Sequence, residues 1–185
     1  MDTTITPRPR VLAIAVAAFA AAVLFVALGA SAAVAAGPKV GFGFNARNVA
    51  GAPTGTVRLT GGGAFNTSTG IVHAGGGFRC TSSVNQGPLA GCMAGQGVRW
   101  HAAALLPSAP FKCTAAATEV VKTASTDAKT AALTVDFFRA GDGIHKSFTA
   151  NVIVSANDIA PDIAGVQNVW VQNVGCATAV AHFSH

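Results

Sequence analysis

Acidic residues are scarce in this 185-residue sequence, which contains only seven Asp and Glu. Glu119 is the single glutamate, and five of the six aspartates lie apart from one another after residue 36. Hydrolysis by a carboxylate pair would therefore need two acids from distant parts of the chain. No short acidic motif identifies such a pair.

Clustered basic residues are also lacking. The chain has a net charge of +5, which falls to +4 without residues 1–36, and its charges are spread singly. Nucleic-acid binding needs a basic patch or an Arg-rich helix. We therefore expect no nucleic-acid partner and attribute the mild positive charge to solubility.

Several motifs that carry chemistry are missing. The sequence has no G-x-S-x-G for a nucleophilic serine, no Gly-Lys-Ser/Thr for a phosphate loop, and no C-x-x-C or H-x-x-x-H for a metal. We therefore expect no metal and no cofactor.

Residues 1–36 have the pattern of a signal peptide. A polar start with two arginines precedes an uncharged stretch from Val11 to Ala36 that ends in small residues. We predict cleavage between Ala32 and Gly37, which leaves residues 37–185 as one exported domain, secreted or in the cell envelope. The alternative is an uncleaved anchor, because the apolar stretch is just long enough to span a bilayer. Membrane contact would then be limited to this segment. The Ala/Gly-rich composition indicates a bacterial source.

Four cysteines follow this segment, and an even number in an exported domain indicates disulfides. Three pairings exist. We favour Cys80–Cys92, which closes a Gly-rich loop, and Cys113–Cys176, which ties the middle of the chain to its last strand.

Short stretches of alternating polar and apolar residues dominate after residue 36, and Gly, Pro, Asn and Asp interrupt them. This pattern predicts an all-β domain of roughly eight antiparallel strands, either a small β-barrel or a β-sandwich. The predicted strands cover residues 39–49, 55–60, 98–106 and 111–123, a clear hairpin over 132–155, and a last strand over 166–183 that bends at Gly175. The segment "STDAK" is predicted to be a turn.

The stretch "GGGAFNTSTGIVHAGGGF" (61–78) is predicted to form a hairpin folded about Thr69. Phe65 then pairs with His73, the two glycine triplets lie on adjacent strands, and Gly70 ends a three-residue loop with positive φ. Six glycines weaken a sheet, so they indicate sharp coiling or a close approach of another group. This glycine cluster resembles the one in dirigent and allene-oxide-cyclase-like barrels. The resemblance covers fewer than twenty residues and transfers no site residue.

Three residues are candidates for catalysis: His73, His101 and Asp136. His73 near the hairpin tip and His101 in the strand 98–106 are candidate bases, and Asp136 would join them if its face of the sheet turns inward. The simpler interpretation places all three on the surface. In strand 98–106, Trp100 is expected on one face with Ala104, and His101 on the other.

Candidates for ligand binding are Trp100, His101 and Trp170. Trp170 lies in "VQNVWVQNV", where an aromatic ring flanked by Asn and Gln suits a sugar or another polar ligand. A buried core tryptophan is the simpler interpretation. Asp142 with His145 is a further candidate for a metal site or an acid–base pair, although Asp and Gly are also expected in a turn. Asp158 with Asp162 is a candidate for calcium, although calcium loops usually contain more acids.

Three functions remain open. We favour a non-enzymatic protein that binds a small molecule or an envelope component. The second is a barrel enzyme of the isomerase or cyclase type, with a histidine and Asp136 in the lumen. The third is a structural or interaction module without a ligand.

Overall fold

The computed structural model describes residues 37–185, so the predicted signal peptide lies outside the described residues. Within this range the chain forms eleven β-strands and no helix. The strands are β1 (Val40–Gly51), β2 (Thr56–Phe65), β3 (Val72–Ser82), β4 (Arg99–Leu106), β5 (Ser108–Phe111), β6 (Lys122–Ser125), β7 (Thr130–Phe138), β8 (Phe148–Ser155), β9 (Val169–Val171), β10 (Gly175–Ala177) and β11 (Val180–Ser184).

Eight of these strands close into an antiparallel barrel in the order β1-β2-β3-β4-β7-β8-β9-β10, with β10 pairing back to β1. Where the barrel closes, strand β1 pairs with two different strands. Its first half pairs with β11, and its end at Ala50–Gly51 pairs with β10. The all-β fold class is therefore confirmed, and of the two architectures the barrel is the one that forms.

The barrel interior is filled by side chains. Ring centroids of Phe44 and Trp100 lie 6.0 Å apart, and those of Phe78 and Phe137 lie 4.6 Å apart. Burying one such side chain contributes about 1.5–3 kcal/mol, so these rings dominate the core. The buried aromatic residues of this core are Phe42, Phe44, Phe65, Phe78, Trp100 and Phe137.

The two glycine triplets do lie side by side on β2 and β3. Gly61 pairs with Gly76, and a Cβ added to Gly61 would approach the Trp100 ring to 2.8 Å. The indole Nε1 of Trp100 donates a hydrogen bond to the Thr60 carbonyl at 3.0 Å. Gly61 therefore makes room for a large ring, a close approach of the kind that the glycine cluster indicated.

The register of this hairpin differs from the prediction by one residue. Phe65 pairs with Val72 instead of His73, because Asn66 bonds to Ile71 and leaves four residues, 67–70, in the loop instead of three. Asn66 closes the loop: its amide donates to the Ile71 carbonyl, and its side-chain oxygen accepts the amides of Ser68 and Thr69. Gly70 has a φ of +71°, as predicted.

A β-bulge in β4 reverses the predicted alternation in the second half of that strand. Ala102 pairs with Val135 and Ala104 with Thr134, so Ala103 is the extra residue. As a result Ala104 is exposed, and Leu105 packs against the core in its place. The prediction that Ala104 shares the face of Trp100 is therefore wrong.

A second, smaller core covers the outer wall of β7, β8 and β9. Strands β5 and β6 form a separate two-stranded ribbon, and Phe111 from β5 packs against Trp170 from β9. The predicted strand over 111–123 is wrong, since residues 112–121 form a loop between the two ribbon strands. The predicted "STDAK" turn and the hairpin of β7 with β8 are confirmed.

The C-terminal segment also departs from the prediction of one bent strand. It forms the three short strands β9, β10 and β11. A tight turn at Gln172–Val174 separates β9 from β10, and Asn173 adopts a φ of +60° there. Gly175 follows with a φ of +121°, a conformation that residues with a Cβ rarely adopt.

Both disulfides join the cysteines that the sequence favoured. Cys80–Cys92 closes a loop of 12 residues at the edge of the barrel core, with the Cα atoms 6.2 Å apart. Cys113–Cys176 spans 63 residues in the second core, with the Cα atoms 4.8 Å apart. It fastens the loop after β5 to strand β10.

Candidate functional site

A groove of about 450 Å³ lies beside Trp170, between β9 and the loop that follows β5. Its volume falls within the range of small-molecule sites. We call it the Trp170 groove. Its apolar walls come from Pro53, Pro110, Phe111 and Val121, and its polar lining comes from Lys112, Thr114, Asn151, Gln172 and Asn173.

Trp170 lines this groove, but its side chain is held in place and is almost completely buried. Its indole Nε1 donates a hydrogen bond of 2.8 Å to the Lys112 carbonyl, and its ring centroid lies 6.0 Å from that of Phe111. Only 4% of its surface is exposed. Trp170 therefore fixes the position of the Lys112 carbonyl and offers a ligand little of its own surface.

Two amide side chains in the groove have their oxygens already engaged. The Gln172 Oε1 accepts the Asn151 backbone amide at 3.0 Å, and the Asn151 Oδ1 accepts the Thr134 hydroxyl at 3.2 Å. Each side chain keeps its NH₂ group as a donor. Together with the Lys112 ammonium, these donors make the groove suited to a ligand rich in acceptor oxygens.

Glu119 holds the loop that forms one wall of the groove. Its carboxylate accepts the amides of Cys113 and Thr114 at 2.8 and 2.7 Å, the Thr114 hydroxyl at 2.6 Å, and Lys122 at 3.0 Å. Burial by itself raises the pKa of Glu119, but these hydrogen bonds outweigh it and lower the pKa from 4.5 to about 2. The loop is therefore pinned by a charged carboxylate.

Lys122 links this carboxylate to a second acid, Asp162, at 2.9 Å. Burial lowers the pKa of Lys122, but the hydrogen bonds to Asp162 and Glu119 outweigh that effect and raise it. Asp162 is thus engaged by an ammonium group. Asp158, its partner in the sequence-based hypothesis, accepts the backbone amides of Ala160 and Gln167 instead.

His101 and Asp136 are brought together, but on the outside of the barrel. They are directly opposite each other on β4 and β7. Asp136 also accepts the Thr149 hydroxyl and lies 3.3 Å from the Lys146 ammonium. Trp100 faces the filled interior and is fully buried, so these three residues do not line one cavity and Trp100 is out of reach of a ligand.

The other sequence candidates occupy separate places. His73 is exposed on the outer face of β3, opposite Ala64. Asp142 lies in the connection of β7 with β8, where hydrogen bonds from Ser147 and Arg139 hold its pKa below the usual value. His145 contacts it only through a backbone hydrogen bond.

Sequence reasoning found Trp170 and its polar neighbours but missed Lys112 and the role of Glu119. Both lie in the stretch that was predicted to be a strand. The one feature of the sequence that sets Glu119 apart is that it is the only glutamate of the chain.

Comparison with family models, curated proteins and solved structures finds no match to this chain. Among residues 37–185 no helix is long and apolar enough to cross a membrane. In the same range, no three His, Cys, Asp or Glu side chains are grouped as metal ligands.

Proposed function

We propose that this protein is an exported, non-enzymatic binding protein whose Trp170 groove holds a small polar ligand, with a saccharide as the best-fitting class. The observation that carries the proposal is the set of donors in the groove: the NH₂ groups of Asn151 and Gln172 and the Lys112 ammonium. Sugar hydroxyl and carbonyl oxygens accept from such donors, and the apolar walls suit the C–H faces of a sugar ring.

The same proposal places the protein outside the cytoplasm. Two disulfides persist in an oxidising compartment, and the N-terminal 36 residues have the pattern of a secretion signal. A bacterial cell envelope, which is rich in glycans, is a location consistent with both.

The enzyme alternative has less support than binding. It relied on a histidine and Asp136 facing a cavity in the lumen, whereas the lumen is filled and both His101 and Asp136 face outward. The observation that favours binding over a purely structural module is again the groove.

Native mass spectrometry of the exported protein tests this proposal. We expect a polypeptide that starts between Ala32 and Gly37, lacks the four thiol hydrogens, and carries an extra mass only under native conditions. Gln172→Met should lose that mass, and Gln167→Met, the same change outside the groove, should keep it. An extra mass that both variants retain equally would contradict the groove as the binding site.

A further inference from the structure

Charge is distributed unevenly along the described chain. Residues 37–118 contain six Lys and Arg and no Asp or Glu, whereas residues 119–185 contain four Lys and Arg and six acids. The first range supplies β1 to β4, which are neighbours in the barrel. One side of the barrel wall therefore carries basic side chains with no acid among its own strands. Such asymmetry is typical of a surface for an anionic partner.

Three arginines stand in one row across the outer face of this wall. Arg58 on β2 is directly opposite Arg79 on β3. A β-bulge in β1 places Arg47 and Asn48 opposite Arg58. All three arginines are exposed. Arg99 on β4 is opposite Gly77, two residues before Arg79, and extends the set. We call these four residues the arginine row.

The positive charges of the arginine row are not neutralised by acids within residues 37–185. The ion pairs in that range involve Lys122, Arg139 and Lys146, all from the acid-containing part of the chain. Like charges directly opposite each other destabilise a sheet. The Arg58–Arg79 pair therefore costs stability that a bound anion would restore.

A groove of about 360 Å³ lies beside Arg58 and Arg79, which both line it. Gly77 forms part of its floor, and the nearest atom to a Cβ at that position would be the Thr60 hydroxyl oxygen at 3.1 Å. The missing side chain keeps the space beside the two arginines open. The Thr60 hydroxyl adds a neutral hydrogen-bonding group at the bottom.

We propose that the arginine row binds a linear polyanion of phosphate groups. Four of the five arginines in residues 37–185 are in this row, and guanidinium groups form bidentate pairs with phosphate oxygens. Within the row, the three aligned residues Arg47, Arg58 and Arg79 extend across about 10 Å, which suits successive phosphates better than a single one. Phe78, the aromatic residue at the groove, is buried, so a nucleobase finds no ring to stack on there. This site is separate from the Trp170 groove and does not depend on it.

Fluorescence anisotropy with labelled inorganic polyphosphate tests this proposal on the mature, oxidised protein. We expect binding that weakens at least tenfold between about 50 and 200 mM salt. The double variant Arg58→Gln with Arg79→Gln should bind at least about tenfold more weakly than the wild type, because it loses two charge-assisted contacts. Lys129→Gln with Lys146→Gln removes the same charge elsewhere and should change the affinity less than about twofold.

The thermal unfolding midpoint of each variant serves as the folding control. Both arginines are exposed, and their removal relieves repulsion, so the midpoint should stay the same or rise. Equal loss of affinity in the two double variants would overturn the proposal, because it would reduce the effect to net charge. Absence of polyphosphate binding at low salt would also overturn it. So would binding to phosphatidylglycerol vesicles without binding to polyphosphate, since the partner would then be a lipid surface.

Discussion

At the scale of single residues, glycine and tryptophan are matched across the barrel wall. Gly61 leaves the space that the Trp100 ring occupies, and the ring in turn is fixed by its hydrogen bond to the Thr60 carbonyl. Gly77 lies on the outer face of β3. Its missing side chain leaves open space at the surface instead of space in the core. The same residue type therefore has opposite roles on the two faces of the paired strands β2 and β3.

Replacing an inward glycine should cost far more stability than replacing an outward one. For Gly61→Ala we expect a loss of about 2–3 kcal/mol, because the new methyl group has to displace the Trp100 ring or the Gly76 backbone. For Gly77→Ala we expect less than about 1 kcal/mol. Urea unfolding of both variants measures the two values. Equal losses would contradict the close packing described for Gly61.

Glu119 should make the protein sensitive to acid. Its pKa is about 2 in the folded state against 4.5 ordinarily, so its stabilising effect is complete above pH 4.5 and is lost as the pH falls toward 2. This contribution amounts to about 2–3 kcal/mol. Unfolding free energies measured across this pH range should fall in the wild type and fall less steeply in Glu119→Gln.

Asp162→Asn is the matched control for that experiment. Asp162 is 58% exposed and contacts the network only through Lys122, so the variant keeps the hydrogen bonds from Cys113 and Thr114 to Glu119. It should retain most of the acid-dependent loss. If Glu119→Gln and the wild type lose stability in parallel, then Glu119 does not pin the loop as described.

At the scale of secondary-structure elements, the ribbon and the loop after it form the groove wall, and a disulfide fastens them to the barrel. The Cys113–Cys176 bridge closes 63 residues, and Cys80–Cys92 closes 12. Because a longer closed loop restricts the unfolded chain more, the two bridges should differ in their contribution.

Removing each bridge by paired Cys→Ala substitution measures this difference. We expect a loss of about 3 kcal/mol for Cys80–Cys92 and about 4 kcal/mol for Cys113–Cys176. Only the second pair of substitutions should also weaken ligand binding, because only that bridge holds the groove wall. A larger loss of stability for Cys80–Cys92 than for Cys113–Cys176 would contradict this assignment. So would unchanged ligand binding in the variant that lacks Cys113–Cys176.

The same elements show what the sequence can and cannot predict. Alternation predicted β1 well, because the buried side chains in its first half follow a period of two, and the same period holds from Leu133 to Phe137 in β7. It does not describe the second half of β8, which is buried on both faces. Alternation failed in β4 and in the loop 112–121. A bulge shifts the period in the first, and in the second a buried carboxylate holds a loop whose composition suits a strand. Bulges and long-range hydrogen bonds leave no local pattern.

The candidate site was predictable only in part for a related reason. Trp170 and Gln172 are two residues apart and formed a recognisable motif. Lys112 comes from a segment 58 residues away, and the hydrogen bond from Trp170 to its carbonyl depends on how the ribbon packs. Likewise, a histidine near Asp136 was one hypothesis for the lumen; His101 is opposite Asp136 in the sheet, but closure of the barrel places both on its outer face.

At the scale of the whole molecule, the barrel has a filled interior and carries its recognition features on the outside. The second core covers the wall at β7 to β9 and ends at the Trp170 groove, while the wall at β1 to β4 carries the arginine row. Because the interior offers no room for a ligand, we expect binding to leave the core unchanged.

Backbone amide NMR, recorded during titration with a panel of neutral oligosaccharides, tests the central claim most directly. We predict that at least one saccharide binds with a dissociation constant of about 1 mM or tighter. The shifts should be confined to amides of Lys112–Ala115, Asn151 and Gln172–Asn173, which line the Trp170 groove. Shifts that map elsewhere, or none with any member of the panel, would contradict saccharide binding in this groove.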